Sequence, residues 1–231
     1  KRQFVIDAYF QYYRGMYLEN MSDYFEKFDD QQTDYYKRSD LTFSNLGFSL
    51  QYIWNHERFS YKAAFDFNEK QKKRAGSFLM GSYFFVNGAR ADSTFVPHFA
   101  QDNFADTATF ANISSVNFGI SAGYIYTFVI GENFFITLGI VPGIGLQGFT
   151  ASNTDNEQVL SKGGLGFTNT TRVSLGYSRE NFYVAFTGVS GNTNLLNKDI
   201  TAINFGYGNA RFTIGYRFEM KNSNFLPWFI R

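Results

Sequence analysis

The chain has 231 residues, among them 29 Phe and 16 Tyr but no Cys, and a net charge of +1. The missing cysteines exclude disulfides, thiolate metal sites and a lipidated N-terminal Cys, and the near-neutral charge gives no reason to invoke nucleic acid. Mean hydropathy is slightly negative, and no apolar run approaches the roughly 18 residues of a membrane helix, which excludes a helical membrane protein.

Strand one is predicted from about Gln3 to Tyr17, followed by a long acidic, tyrosine-rich loop through Asp40. Strand two spans Leu41 to Trp54, with Leu46, Phe48, Leu50, Tyr52 and Trp54 on one face. The turn Asn55–Arg58 then leads to a segment in which Phe59, Tyr61, Ala63, Phe65 and Phe67 alternate with Ser60, Lys62, Ala64, Asp66 and Asn68. Successive strand side chains point to opposite faces, so this third segment reads as a strand with one aromatic and one polar face. Continuing it to Val86 would leave Glu69 to Arg74 in mid-membrane, at about 2–4 kcal/mol per lipid-facing Lys or Arg. The chain is therefore expected to leave the bilayer there and return as strand four, Ser77 to Val86.

Asn87-Gly88 is a strong two-residue hairpin signal. A fifth strand over Asp92–Phe99 follows, weakened by Pro97. Strand six covers Ser115 to Ile130, and the turn Gly131-Glu132-Asn133 leads to strand seven, Phe134 to Leu146. Strand eight runs from Leu165 to Tyr177, Ser178 to Asn181 turns tightly, strand nine is Phe182 to Val189, and Ile200 to Phe218 closes the set.

An all-β transmembrane, antiparallel, up-and-down β-barrel is the expected fold, with about ten strands, eight being the other count, and both termini on the periplasmic side with the tight turns. In such a barrel the aromatic face meets lipid and the polar face the lumen. A soluble lipocalin-like barrel would have to pack these rings into a small interior. The barrel should occupy residues 1–218 of a mature outer-membrane protein whose signal peptide has been removed. Ala210, Phe212, Ile214, Tyr216 and Phe218 alternate toward a terminal aromatic, as an outer-membrane assembly signal would. Residues 219–231 form a C-terminal aromatic tail in which Phe225, Leu226, Trp228, Phe229 and Ile230 could dock a partner or pack on the barrel's own mouth.

The segment Asn68, Glu69, Gln71, Lys72, Lys73, Ala75, Gly76, Ser77, Phe78, Leu79, then Asp92, Ser93 and Pro97, Ser121-Ala122-Gly123-Tyr124 with Tyr126-Thr127, and Gly215-Tyr216-Arg217-Phe218 carry a family likeness. They resemble the uncharacterised outer-membrane proteins of Bacteroidota grouped as domain of unknown function 4421, over about Leu46 to Phe218. The resemblance implies a fold and a location. It implies no activity, cofactor or functional residue.

With the apolar parity outward, the lumen receives Asp7, Tyr9, Gln11, Tyr13, Ser49, Gln51, Lys62, Asp66, Asn117, Arg172, Arg211 and Arg217. About eight strands leave only room for side chains, whereas an aqueous channel needs about sixteen. Asp7, Lys62, Asp66, Arg172 and Arg211 are therefore expected to form a neutralising polar network that fills the interior, with a selective polar pathway or binding site as the alternative. Of the two histidines, His56 falls in a turn and His98 points inward beside Asp92 and the hydroxyls of Ser93 and Thr94. That set is raw material for an acyl hydrolase, although an ordered motif is missing and a hydrogen-bonded interior His is the ordinary outcome.

The acidic loop 18–40 lacks the glycine and terminal Glu of a calcium loop, so no metal or other cofactor is expected. Lys70, Lys72, Lys73 and Arg74, read as an external tip, could meet lipopolysaccharide phosphates. Three functional classes follow: a structural or accessory subunit of an outer-membrane assembly, in contact with lipid and other outer-membrane proteins; a narrow pore or binding barrel for a small polar solute; and a lipid-modifying barrel enzyme. The first is preferred, and the enzyme is the least favoured of the three.

Overall fold

The computed structural model describes residues 2–19, 35–97, 100, 110–195 and 204–218. Alternation of side chains along nearly the whole chain produces eight strands: β1 (Phe4–Glu19), β2 (Tyr35–Ile53), β3 (Ala75–Arg90), β4 (Asn112–Ile130), β5 (Phe134–Ser152), β6 (Gln158–Ser178), β7 (Phe182–Leu195) and β8 (Asn204–Tyr216). Each pairs antiparallel with its neighbour in sequence, giving the sheet order β1-β2-β3-β4-β5-β6-β7-β8. The sheet curves into a half-barrel, and among the described residues no backbone ladder joins β8 back to β1.

The curl is set partly by glycines placed where a side chain would collide with the neighbouring strand. A Cβ on Gly81 would lie 1.9 Å from Leu50 O, and one on Gly145 would lie 2.2 Å from Phe118 O. On the concave face, Tyr9 lies over Gly47, its register partner on β2, and Tyr207 lies over Gly191, its partner on β7. Each ring covers the gap left by a missing side chain, a pairing that pins register and curvature together.

Phe59–Asn68 is not a strand. Tyr61–Phe65 form a five-residue helix, α1, capped by Ser60, whose Oγ accepts from Ala63 N at 3.2 Å. The middle of the connection from β2 to β3 folds into the concave side, and Phe59, Ala64 and Phe65 pack with Val5, Ile53, Leu79, Ile125 and Val141. Phe67 packs with Phe135 and Ala185. Ala63 and Ala64 explain the failure of the two-residue pattern: both are buried good helix formers, and Ala64 occupies what should have been the polar face.

Losing this strand, together with the one expected from Asp92, changes the count from about ten to eight and changes which loops share an end. The β2–β3, β4–β5 and β6–β7 connections lie at the end that carries the start of β1 and the end of β8. Lys70–Arg74 therefore belong to the end with the tight turns, not to the opposite tip, and Lys70 Nζ donates to Asn133 Oδ1 in the β4–β5 turn at 2.9 Å. Asn87-Gly88 is not a turn either: it sits inside β3, opposite Ser115 and Ser114. Asn87 is polar because it faces a polar interior, its Nδ2 directed at Ser115 Oγ. Asp92–Pro97 form no strand, and the segment is tied down by Phe95 N donating to Phe110 O.

The convex face is apolar, with Phe10, Leu46, Phe84, Phe118, Ile140 and Phe212 among its exposed side chains. Towards the tight-turn end it becomes a belt of outward aromatic pairs. Phe4 meets Tyr52 with ring centroids 5.4 Å apart, Phe78 meets Tyr124 at 4.9 Å, Phe134 meets Tyr177 at 5.0 Å and Tyr216 meets Phe218 at 4.9 Å. Towards the other end the convex surface turns small and polar, with Thr42, Ser44, Gly88, Ser114 and Thr150 around a shallow groove.

Candidate functional site

β1, β6 and β8 turn their odd, even and odd residues respectively toward the concave side, which brings Asp7, Arg172 and Arg211 around α1. Arg172 is buried, pairs through Nη2 with Asp7 Oδ2, and donates from Nε to Tyr61 OH at 2.9 Å. Ser49 Oγ donates to the same Asp7 oxygen at 3.3 Å. Asp7 is itself partly solvated, so the pair joins a dry guanidinium to a wetter carboxylate.

α1 ends inside the protein, where its last carbonyls need partners. Ser174 Oγ donates to Ala64 O, Arg211 Nη2 to Phe65 O at 2.7 Å, and Arg217 Nε to Phe67 O at 2.7 Å. Arg217 also donates to Arg179 O and Ser178 Oγ and lies over the Tyr183 ring at 4.8 Å. Cations at a helix C-terminus are favourable on charge as well as on hydrogen bonding. The arrangement is a stopper: an apolar plug wedged into the tight-turn end and clamped by side chains from β6, β8 and Arg217 just beyond β8.

Above the stopper lies a cavity of about 650 Å3, floored by Tyr61, Phe65 and Asp66 and walled by residues that include Asp7, Tyr9, Gln51, Tyr83, Arg172 and Tyr207. Tyr9 and Tyr207 stack at 4.4 Å across the gap between β1 and β8, and Gln11 Nε2 donates to Gly208 O at 3.3 Å. Four buried polar atoms on the wall, Arg172 Nη1, Gln51 Oε1, Tyr83 OH and Ser121 Oγ, have no protein partner among the described residues. Further from the stopper, Asn117 is fully buried with both side-chain polar atoms unpartnered, beside Gln147 and Ser115.

Of the five residues expected to form one network, the structure joins Asp7 to Arg172 and places Arg211 and Asp66 on the same cavity wall. Arg211 serves a carbonyl rather than a carboxylate, and Lys62 and Asp66 make no ion pair among the described residues. The expected pairing of Asp92 with His98 falls partly outside the described residues. Asp92 is exposed and gives its backbone N–H to Asp40, Ser93 Oγ accepts from Arg38 Nη2 at 3.0 Å, and His98 lies outside the described residues. So do most of the acidic loop and the tail carrying Phe225, Leu226, Trp228, Phe229 and Ile230. His56 is half-buried near Gln3, with its ring against Tyr52.

The strand period alone did not single out Arg38, Tyr61 and Tyr207. Arg38 is buried, clasps Asp40 through Nε and Nη2, and reaches Thr94 O at 2.9 Å, anchoring the β3–β4 connection to β2. Tyr207 shows its place as a ring facing Gly191 only once the β7–β8 register is known. Among the described residues no group of three or more His, Asp or Glu is placed to hold a metal ion.

The family model for "Domain of unknown function (DUF4421)" matches residues 1–218. No curated protein matches the chain, and no solved structure matches it.

Proposed function

The chain belongs to the DUF4421 family, and on that premise we propose that it is an outer-membrane β-barrel which holds a small solute in a stoppered interior and conducts no ions. The observation that carries this reading is the stopper itself: α1, clamped at Ala64, Phe65 and Phe67, below a cavity of about 650 Å3. That volume lies within the range of small-molecule sites, about 300–1,000 Å3. Membrane placement is supported by the apolar convex face and by its aromatic belt, since outward girdles of rings mark the interface in barrels. No helix among the described residues is long and apolar enough to span a bilayer, so any crossing is made by the strands. They have the length for it, because β8, the shortest at 13 residues, exceeds the about 9–11 that a spanning strand needs.

An accessory subunit of an outer-membrane assembly would draw on the tail Phe225–Ile230, and none of its described surface favours that reading over a binding barrel. A lipid-modifying enzyme has less support, because Asp92 is exposed and Ser93 is engaged by Arg38. The test is reconstitution in planar bilayers together with gel mobility before and after boiling. The expected result is a heat-dependent mobility shift with no single-channel steps. Porin-like steps in the unaltered protein would overturn the stoppered reading, and absence of any shift would overturn the barrel.

A further inference from the structure

We propose that the cavity is entered sideways, between β1 and β8, and that it takes a single-chain amphiphile with a hydrogen-bond-accepting head, in the simplest case a fatty-acid carboxylate. This inference rests on the stoppered membrane barrel proposed above and names its ligand class and its route.

Three observations converge on it. The first is the seam. Every other strand boundary is a backbone ladder, whereas β1 and β8 are bridged among the described residues by side chains, the Tyr9–Tyr207 stack and the Gln11–Gly208 hydrogen bond. The second is the lining. A cavity wholly inside a barrel would touch only inward residues, yet this one reaches Ile6, Ala8 and Phe10, whose side chains lie on the convex, apolar face. One wall is therefore the seam, and outside the seam is the surface that faces hydrocarbon.

The third is the chemistry within. Arg172 is 3 % exposed and has committed Nη2 and Nε, which leaves Nη1 as a charged donor with no protein acceptor among the described residues. A dry guanidinium N–H without an acceptor is costly, and a carboxylate oxygen is the acceptor that rewards it most. Ser121 Oγ and Tyr83 OH, also buried and unpartnered on the same wall, are further donors facing the cavity. Asp7 offsets Arg172 and Asp66 offsets Arg211 in charge, so selection falls on hydrogen-bond donors rather than on net attraction. Phe65, Phe85, Val141 and Val189 complete the wall with apolar surface that a sugar or a free ion would not use. An alkyl chain would lie along it and leave between Ile6 and Ala8 on one edge and β8 on the other.

The experiment uses the whole chain in phosphatidylcholine nanodiscs, with 11-(dansylamino)undecanoic acid as the fluorescent probe and palmitate and acetate as competitors. Two variants place a bulky ring on the outer face: Ala8→Trp at the seam, and Ala122→Trp on β4, away from the cavity. Palmitate should displace the probe and acetate should not. Ala8→Trp should weaken probe binding by about tenfold or more, and Ala122→Trp should match the unaltered protein. Equal binding by the two variants would overturn the lateral route, and displacement by acetate as readily as by palmitate would overturn the amphiphile. A heat-modifiable barrel that binds no displaceable probe would overturn this inference alone. A chain that never becomes heat-modifiable would remove the membrane reading beneath it.

Discussion

Tyr9 and Gly47 show how a single position sets the shape of the interior. A Cβ at Gly47 would fall 2.0 Å from Tyr9 Cε1, inside the ring. Gly47→Ala must push that ring away, and with it the stack on Tyr207 that bridges the seam. Overpacking of this kind costs about 1–3 kcal/mol, so the unfolding midpoint of the refolded barrel, read by gel mobility against temperature, should fall clearly. Gly148, whose added Cβ would meet nothing within 4 Å, is the control, and Gly148→Ala should leave the midpoint almost unchanged. Equal behaviour of the two would mean that Tyr9 does not need its glycine. The inward parity of Asp7, Ser49, Gln51, Asn117 and Arg172 was legible from alternation alone, because a strand gives each residue only two directions. Glycine partners were not, since they become visible only once the register is known.

At the scale of elements, α1 is where period and structure part company. Alternating aromatics can satisfy a strand, but they also serve a compact plug that needs apolar surface in several directions: Phe59 packs toward Ile53 and Leu79, and Phe67 toward Phe135. Nothing in the local pattern reports that the plug's carbonyls will be met by Arg211 and Arg217, some 146 and 150 residues further along the chain. The clamp can be tested directly. Arg211→Ala with Arg217→Ala removes both guanidiniums from the carbonyls of Phe65, at the end of α1, and Phe67, just beyond it, each such charge-assisted bond being worth about 1.5–3 kcal/mol. The doubly altered protein should show intermittent single-channel steps in planar bilayers where the unaltered protein is silent. Continued silence, with the barrel still heat-modifiable, would mean that the apolar packing of Phe59 and Phe65 holds the stopper without them. The same logic explains Asn87-Gly88: polar and flexible residues signal turns in proteins with dry interiors, but in a sheet with a polar concave face they also belong inside a strand.

For the whole molecule, sequence alone was enough to read an up-and-down antiparallel sheet with an apolar outer face, because that rests on the period-two pattern summed over many strands. The number of strands was less secure, since the plug segment and the segment from Asp92 each read as an extra strand, which raised the count from eight to ten and sent Lys70–Arg74 to the wrong end. The seam was not legible at all, because whether the last strand bonds to the first depends on curvature accumulated across every pair. It has a measurable consequence. Strands β2 to β7 have ladders on both sides, whereas β1 and β8 have one each among the described residues. Amides held by a ladder exchange only on opening, and those on a free edge exchange at once where water reaches them. Hydrogen exchange of the refolded protein should therefore show β4 and β5 protected throughout, while roughly every second amide of β1 and β8 exchanges early, those facing the adjacent strand being spared. Because free backbone groups in lipid cost several kcal/mol each, a bilayer that drove β8 onto β1 would abolish this difference. Uniform protection of β1 in nanodiscs would show the seam sealed and the lateral route shut; early exchange that slows when palmitate is added would show the route open and the ligand lying across it.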